Sequence, residues 1–344
     1  MPADVSQSAI AKTYNFVLFC VETQTMKFFR ICGCCLCCLF AGWLKVKAQT
    51  DSYRPKIAEF SYKALGDYQT ISNSETFGNA SSEIEHESLL KLKLGIPLVI
   101  KDNELFGLQL LYYQHHFNFD DEDFADNYGL YNHLSGQAFR NLGLRGLYQY
   151  SLDDRRELTF AAGLEARGDE IQWNRNTTKV FVSGQYKKRV NSRTRVGYGA
   201  VLSRGLRLTS FYPIFTYEKV LSPGWTLDAV LPKSVALRKE INPKTYLTGQ
   251  LEFEGWRYNL TNPMPGDGRD FTLRKADLEL RVKFEREIHD WLWFGAELGY
   301  NKNVSYYLAH PGERGDRALI DLRARDARYL KFSIFIVPPR SLSR

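Results

Sequence analysis

The alternation that decides the fold is clearest in the stretch Leu273-Arg-Lys-Ala-Asp-Leu-Glu-Leu-Arg-Val-Lys-Phe-Glu285. From Asp277 onward, charged residues alternate strictly with apolar ones, which are Leu278, Leu280, Val282 and Phe284. Successive side chains of a strand point to opposite faces, so a strand here has one apolar face and one charged face. A helix would spread the same residues around its circumference and leave no apolar face to bury. The stretch therefore predicts a strand whose apolar face meets either a protein core or lipid.

The same alternation recurs along the chain, and its most regular example runs from Leu90 to Ile100. Counting such segments predicts 14 strands, or 12 if residues 225–241 form one irregular strand. Short turns alternate with longer polar connections, among them residues 69–87, 120–135, 259–270 and 301–326. A soluble sandwich has no reason to separate long from short connections, whereas an outer-membrane barrel has short periplasmic turns and long outer loops. We therefore predict an all-β fold, an antiparallel transmembrane β-barrel.

The composition agrees with a barrel that spans a membrane. Aromatic residues make up 14% of the chain, while the mean hydropathy of −0.36 is that of a soluble protein. A transmembrane barrel combines the two because its lipid-facing residues alternate with lumen residues. Many aromatic residues stand near predicted strand ends, where such barrels have two aromatic girdles. These residues are Tyr112, Tyr113, Tyr148, Tyr150, Trp225, Trp256, Tyr258, Trp291, Trp293, Tyr306 and Tyr307.

The amino-terminal segment has the features of a secretory signal peptide. A basic start at Met26–Arg30 precedes a short apolar run that ends near Gln49. The run is shorter than the ~20 residues that a membrane-spanning helix needs. We expect residues 1–48 to be the signal peptide, Met26 to be the translation start, and residues 1–25 to be an over-extended gene prediction. Residues 49–344 are then a single outer-membrane barrel domain.

All six cysteines lie in the expected signal peptide, at Cys20, Cys32, Cys34, Cys35, Cys37 and Cys38. The mature chain would therefore have no disulfide and no thiolate metal site. Residues 1–48 hold five of the 46 Lys and Arg residues and two of the 39 Asp and Glu residues. The remaining 41 and 37 give a net charge of +4, which is no reason to expect nucleic acid as a partner. We also expect no cofactor.

The charged parity of each strand predicts which residues line the lumen. Those charges are either paired or hydrated, and their mixed signs fit an ion-paired interior or a water-filled pore. Glu252, Glu254, Asp277 and Glu279 lie on neighbouring predicted strands. For these four residues a more specific hypothesis is a role in the selectivity of a pore. The predicted lumen charges are Lys91, Lys93, Arg145, Glu165, Arg167, Arg238, Glu252, Glu254, Asp277, Glu279, Arg281 and Lys283.

One short motif has residues of the kind that nucleophilic catalysis uses. In His133-Leu134-Ser135, a strand would place the His and Ser side chains on one face, as nucleophilic catalysis needs. Over these three residues the chain resembles outer-membrane phospholipases and lipid A deacylases, although those families usually continue with Asn where Gly136 stands here. The alternative is a His and a Ser at the edge of a loop. We assign no catalytic residue, and His133 and Ser135 stay candidates.

A metal site is suggested by His115-His116 and by the acidic run Asp120-Asp121-Glu122-Asp123. Adjacent His residues on a strand point to opposite faces, and the acidic run lacks the spacing and the Gly turn of an EF-hand. We therefore interpret the run as a hydrated outer loop and expect no metal.

Three segments carry a resemblance to a known family: Phe60-Ser61-Tyr62, Leu231-Pro232-Lys233 and Leu251-Glu252-Phe253-Glu254-Gly255. With them the mature chain resembles a family of outer-membrane β-barrels of Gram-negative bacteria that is described only as a domain of unknown function. The resemblance implies an outer-membrane location and supplies no catalytic residue. The carboxy-terminal Phe of many such barrels is absent, since the last predicted strand is followed by Pro338-Pro339.

The main functional hypothesis is a non-enzymatic outer-membrane barrel that acts as a channel, a small-solute transporter or a structural component. Its expected partners are outer-membrane lipid, the barrel-assembly machinery and, for a channel, a small solute. One alternative is a lipid-modifying outer-membrane hydrolase that uses His133 and Ser135. The other is a secreted β-sandwich that binds a ligand.

Overall fold

The structure, a computed structural model, describes residues 55–76, 78–120, 130–263 and 268–342. The expected signal peptide, residues 1–48 with Met26, lies outside the described residues, as do Asp121, Glu122 and Asp123 of the acidic run. In the described ranges the helical elements are one short α-helix, α1 (Leu130–Leu134), and 3₁₀ turns at Gly315–Arg317 and Arg340–Leu342.

Sixteen strand segments, β1 to β16, make up most of the described chain. In order they are Ala58–Leu65, Tyr68–Asn73, Ala80–Ile100, Glu104–Phe119, Ala138–Ser151, Arg156–Gly168, Thr178–Asn191, Thr194–Gly205, Leu208–Ser222, Trp225–Leu231, Ser234–Asn242, Thr245–Leu260, Phe271–His289, Leu292–Ala309, Ile320–Ala324 and Ala327–Ile336. Consecutive segments from β2 to β15 pair antiparallel.

The sheet closes on itself because the first and last segments pair, with Ala58 opposite Ile336. Segments β1 and β2 run along β3 in one register, and segments β15 and β16 do the same along β14. Each of these pairs is therefore a single interrupted strand, and the ring is a closed antiparallel barrel of 14 strands. The prediction of 14 strands is confirmed. The 12-strand alternative and the two-sheet sandwich are both wrong, since β10 and β11 are separate strands and the ring is closed.

The outer surface of the barrel is apolar and the inner surface is charged. In β13, Leu280 and Val282 are 59% and 53% exposed, whereas Glu279 and Glu285 are buried. This distribution is the reverse of that in a soluble protein, and it is the one that a bilayer around the barrel requires. The apolar row of the opening stretch is thus the lipid-facing row. Among the described residues, none of the helices is long and apolar enough to cross a membrane.

Two stretches that were predicted as loops contain strands, which corrects the prediction. Residues 69–87 include β2 and the start of β3, and residues 301–326 include the end of β14 and all of β15. In Ala80–Glu85 the alternation is present, but its exposed members are polar: Ser81, Glu83 and Glu85. Water on the outer face explains these residues, since the strands extend beyond the bilayer. Polar strands of this kind lack the apolar row by which the others were recognised.

The wall of the barrel is low on one side. The β10–β11 hairpin ends at residues 232–233, with Leu231 opposite Phe215 of β9 and Ser234 opposite Glu252 of β12. Above this level β9 and β12 continue without the hairpin between them. At its outer end β12 reaches β6 instead, where Asn259 pairs with Gly168. The upper part of the barrel is therefore a smaller ring than the lower part.

Candidate functional site

Charged side chains from six strands surround a lumen cavity of about 200 Å³. The strands β1, β3, β12, β13, β14 and β16 place these side chains because alternate residues of each strand face inward. The lining residues include Glu59, Lys63, Lys91, Lys93, Lys233, Glu252, Glu254, Glu279, Arg281, Glu297 and Lys331. Acids and bases are nearly balanced around the cavity.

Ion pairs span the cavity between strands that are far apart in sequence. Lys63 bonds to Glu279, and Lys91 bonds to Glu254. Arg281 bonds to Glu252 and lies 3.0 Å from Glu279. Charges away from water are stable only when paired in this way. The network holds this side of the lumen in a fixed arrangement.

A second charged cluster, on β5, β6 and β7, has an excess of positive charge. The carboxylate of Glu165 bonds to Arg167, and Arg145 lies 3.6 Å away. Lys179 is opposite Glu165 on the neighbouring strand. The ring of Phe181 lies close to two of these cations: its centroid is 5.1 Å from the guanidinium carbon of Arg145 and 5.7 Å from the ammonium nitrogen of Lys179. Three cations surround one carboxylate here, so this side of the lumen attracts anions. We call the cluster of Arg145, Glu165, Arg167 and Lys179 the cationic wall.

The outer half of the barrel is filled by a group of apolar side chains that we call the plug. It consists of α1, with Leu130 and Leu134 fully buried, and of inward-facing residues from the surrounding strands. These residues include Phe117, Phe119, Phe139, Tyr258, Leu260, Phe271, Leu273, Tyr306, Leu308, Ile320 and Leu322. Apolar packing of this density leaves no wide axial path where it lies.

The plug corrects part of the aromatic-girdle prediction. Trp256, Tyr258 and Tyr306 point into the barrel and pack on the plug. Trp293 also points inward, where its ring stacks on Tyr246 at a centroid distance of 5.6 Å. These residues have lumen parity, which proximity to a strand end does not reveal. In contrast, Tyr148, Trp225 and Trp291 are exposed, as a girdle requires.

Beneath the plug lies a buried polar cluster around Lys275. Its ammonium group is 3.0 Å from Glu87 and 3.5 Å from Asp277, and it donates to the Tyr68 hydroxyl oxygen at 3.1 Å. His115 is 2.7 Å from the other oxygen of Glu87. His115 thus faces inward and is buried, whereas its neighbour His116 lies on the outward parity of β4. In the described ranges no group of three His, Cys, Asp or Glu side chains is arranged to hold a metal ion.

The opposite wall of the lumen borders open space. Three apolar residues of β5, β9 and β10 face inward by register and are nevertheless well exposed: Leu147 at 38%, Tyr212 at 42% and Val230 at 37%. On β13, in contrast, the inward-facing Asp277, Glu279 and Glu285 are buried. The lumen is therefore packed on the side that runs from β12 through the first and last strands to β4. It is accessible to water on the other side, from β5 to β11.

The candidate pair His133 and Ser135 is not on a strand, which corrects the prediction. His133 lies in α1, and Ser135 follows the helix, where its hydroxyl accepts a hydrogen bond from the Phe119 N–H at 3.3 Å. Residues two apart on a helix do not face each other. The ring of His133 instead lies 3.2 Å from the carboxylate of Asp169.

Asp169 joins the outer ends of β6 and β12. It accepts hydrogen bonds from the Thr261 N–H at 2.8 Å and the Thr261 hydroxyl at 3.1 Å. Burial raises the pKa of the Asp169 carboxyl, but hydrogen bonds from His133 and Thr261 outweigh it and leave the pKa below its usual value. The carboxylate therefore stabilises the place where the smaller upper ring closes.

Asp169→Asn should lower the stability of the barrel at neutral pH by about 1–3 kcal/mol. Because the folded-state pKa of Asp169 is lowered, its contribution is complete above the unfolded-state pKa and is lost as the pH falls through the folded-state pKa. The difference between wild type and variant should thus shrink in acid. Urea unfolding in detergent at neutral and acid pH measures it, and a difference that is independent of pH would contradict this role.

The sequence-predicted lumen charges divide among these clusters. Lys91, Lys93, Glu252, Glu254, Glu279 and Arg281 line the cavity, and Arg145, Glu165 and Arg167 form the cationic wall. Asp277 joins the Lys275 cluster, Arg238 lies 3.4 Å from Asp228, and Lys283 lies 3.3 Å from Glu285. The predicted acidic neighbours are adjacent, with Glu252 opposite Glu279 and Glu254 opposite Asp277.

The sequence-based prediction missed five charged residues that also line the cavity: Glu59, Lys63, Lys233, Glu297 and Lys331. Lys233 lies in a turn, whereas the other four have the inward parity of β1, β14 or β16, so parity applied to those strands would have identified them. In β14 and β16 the inward neighbours Gly295 and Ser333 are small and uncharged, so no charged row marks the lumen face there.

A closed barrel with an apolar outer surface and a charged lumen defines a transmembrane β-barrel of the outer-membrane type. No known protein-family profile matches the chain, and no curated protein matches it. Among solved structures, the chain is similar to an outer membrane channel from Pseudomonas putida F1, with 11% identity over 84% of this chain and 100% of that one and a TM-score of 0.40.

Two further barrels are similar at the same level. A Pseudomonas aeruginosa FadL homologue has 10% identity, covers 83% of this chain and 91% of its own, and has a TM-score of 0.44. The KdgM porin has 9% identity, with 79% and 98% covered and a TM-score of 0.32.

Proposed function

We propose that the protein is a non-enzymatic outer-membrane channel for small solutes, with a preference for anions. The observation that carries the proposal is the asymmetric lumen, which is packed on one side and accessible to water along β5 to β11. The cationic wall around Glu165 borders this accessible side. Outer-membrane lipid and the barrel-assembly machinery are the other partners in the proposal. The proposal also places the chain in the Gram-negative outer-membrane β-barrel family that is described only as a domain of unknown function.

The contacts of His133 and Ser135 give the hydrolase alternative no support. The Ser135 hydroxyl bonds to backbone and the His133 ring bonds to Asp169, so neither contact activates the serine. Nucleophilic catalysis requires the base within hydrogen-bond reach of the nucleophile. The proposed function is therefore transport.

Planar-bilayer recordings under a salt gradient test the proposal. The wild type should conduct, with a reversal potential that indicates anion preference. Arg145→Glu should shift the permeability ratio toward cations by about threefold or more, because it replaces a cation of the lumen wall by an anion. Arg204→Glu is the matched control, since Arg204 is an exposed residue on the outward parity of β8 and should leave the ratio unchanged. A wild type that never conducts, or equal effects of the two variants, would contradict the proposal.

A further inference from the structure

The low wall above the β10–β11 hairpin leaves two strand edges without a partner among the described residues. On β9 the edge is Leu208–Ile214, which pairs with β8 on its other side only. On β12 the edge lies above Phe253, whose N–H bonds to the carbonyl of Lys233. The two strands of the hairpin, β10 and β11, end below this level and leave a gap between the edges. At ordinary strand spacing the gap is roughly 14 Å wide at its base.

The gap lies at the depth of the bilayer. Phe211 on the β9 edge is opposite Leu202 of β8, which is opposite Val182 of β7. All three face outward and are exposed, so they belong to the apolar band. An open strand edge is not tolerated against lipid tails, but it is tolerated where it borders a water-filled cavity. The edges therefore indicate that the lumen opens sideways here.

The frame of the gap is defined by named contacts. At the bottom, Lys233 on the hairpin turn lies 3.1 Å from Glu252 and also lines the lumen cavity. At the top, the guanidinium of Arg257 on β12 donates to the carbonyl of Gly205 at 3.1 Å. The lumen cavity thus extends to the lower rim of the gap.

The two sides of the gap differ in chemistry. Its outer rim is apolar, with Phe211 71%, Phe253 51% and Leu231 44% exposed. On the lumen side, Lys179 is paired with Gly205, and Arg167 precedes Gly168, which is paired with Asn259. Cations therefore stand just inside the upper rim, and a molecule in the gap would meet lipid at one end and positive charge at the other.

We propose that this gap is a lateral portal, through which an amphipathic small molecule with an anionic head group passes between the lumen and the outer leaflet. The inference rests on the proposed channel function and gives it a route and a substrate class. The plug supports it, because it fills the outer end of the barrel, whereas the portal opens below that level. The head group pairs with the cations, and the apolar chain stays among the phenylalanines of the rim.

Two glycines of β12 provide a matched test. Gly255 faces outward at the portal, and an added side chain there meets only ordinary contacts, of which the shortest is 3.6 Å from the Lys275 carbonyl. Gly249 has the same parity on the same strand, lies below the portal opposite Leu237 of β11, and has open space around it. Gly255→Trp should therefore obstruct the portal, whereas Gly249→Trp should not.

The probe is dansyl-labelled undecanoate, titrated by fluorescence against the barrel in nanodiscs, with empty nanodiscs subtracted. We expect the wild type and Gly249→Trp to bind it equally and Gly255→Trp to bind it about tenfold more weakly. The dansyl-labelled amine of the same chain length should bind the wild type more weakly than the carboxylate does. Absence of binding to the wild type, or equal binding by the two tryptophan variants, would overturn the portal.

A second variant fills the gap with protein. Two residues added to each arm of the β10–β11 hairpin, on either side of residues 232–233, would extend the wall upward between β9 and β12. The same insertion in the short turn at residues 192–193 is the control. Only the first should lose probe binding, and retention of binding would overturn the portal. Heat-modifiable gel migration shows that each variant is folded. Planar-bilayer conductance of the wild type is recorded separately, so a failure of the channel and a failure of the portal are distinguishable.

Discussion

Replacing Leu130 and Leu134 by aspartate should open the outer end of the barrel and raise its single-channel conductance by about tenfold. Both leucines are fully buried in the plug. A buried, unpaired carboxylate is far too costly to keep among apolar side chains, so α1 should leave the plug. The 14-strand ring should remain, because backbone hydrogen bonds between neighbouring strands hold it together.

Planar-bilayer recording measures this change, and Leu130→Met with Leu134→Met is the control. These substitutions conserve volume and apolar character, so the plug should stay in place. An aspartate variant that is folded in gel migration but conducts like the wild type would show that the plug does not limit flow.

Lys275→Met should destabilise the barrel by about 3–5 kcal/mol, which is the usual cost of removing one partner of a buried ion pair. The side chains of Lys275 and Glu87 are only 3% and 4% exposed. Without the ammonium group, Glu87 and Asp277 would be two carboxylates beneath the plug with little compensation.

Urea unfolding in detergent measures the loss, and a double variant tests its cause. Glu87→Gln with Lys275→Met removes one charge of each sign and should be less destabilised than Lys275→Met alone. If the two variants lose the same stability, the buried pair is not what Lys275 contributes.

The architecture could be predicted because the bilayer imposes one parity rule on every spanning strand. In β13 the rule predicted the lipid row from Leu278 to Phe284 and the lumen row that alternates with it. The register of β13 with its neighbouring strands confirms both rows. The rule fails where water replaces lipid, which is why β2 and β15 were predicted as parts of loops. Parity also cannot tell how far a strand extends, so the height of the β10–β11 hairpin was not foreseen.

The plug could not be predicted from local sequence. Its members come from many strands and from α1, and they meet only after the barrel has closed. Leu130 and Leu134 stand in a segment with no strand alternation, next to an acidic run that indicated a hydrated loop. The cationic wall was closer to being predicted, since Arg145, Glu165 and Arg167 were each placed in the lumen, but only the register brings them together.

The pairing of the first strand with the last has a consequence for how the chain is made. Contacts between such distant segments form late, because the whole intervening chain must be ordered before they are gained. Until β16 arrives, β1 and β14 each present a long unpaired edge, which is a template for pairing with another molecule. The interval between export of the first strand and arrival of the last is therefore when this chain is most exposed to aggregation.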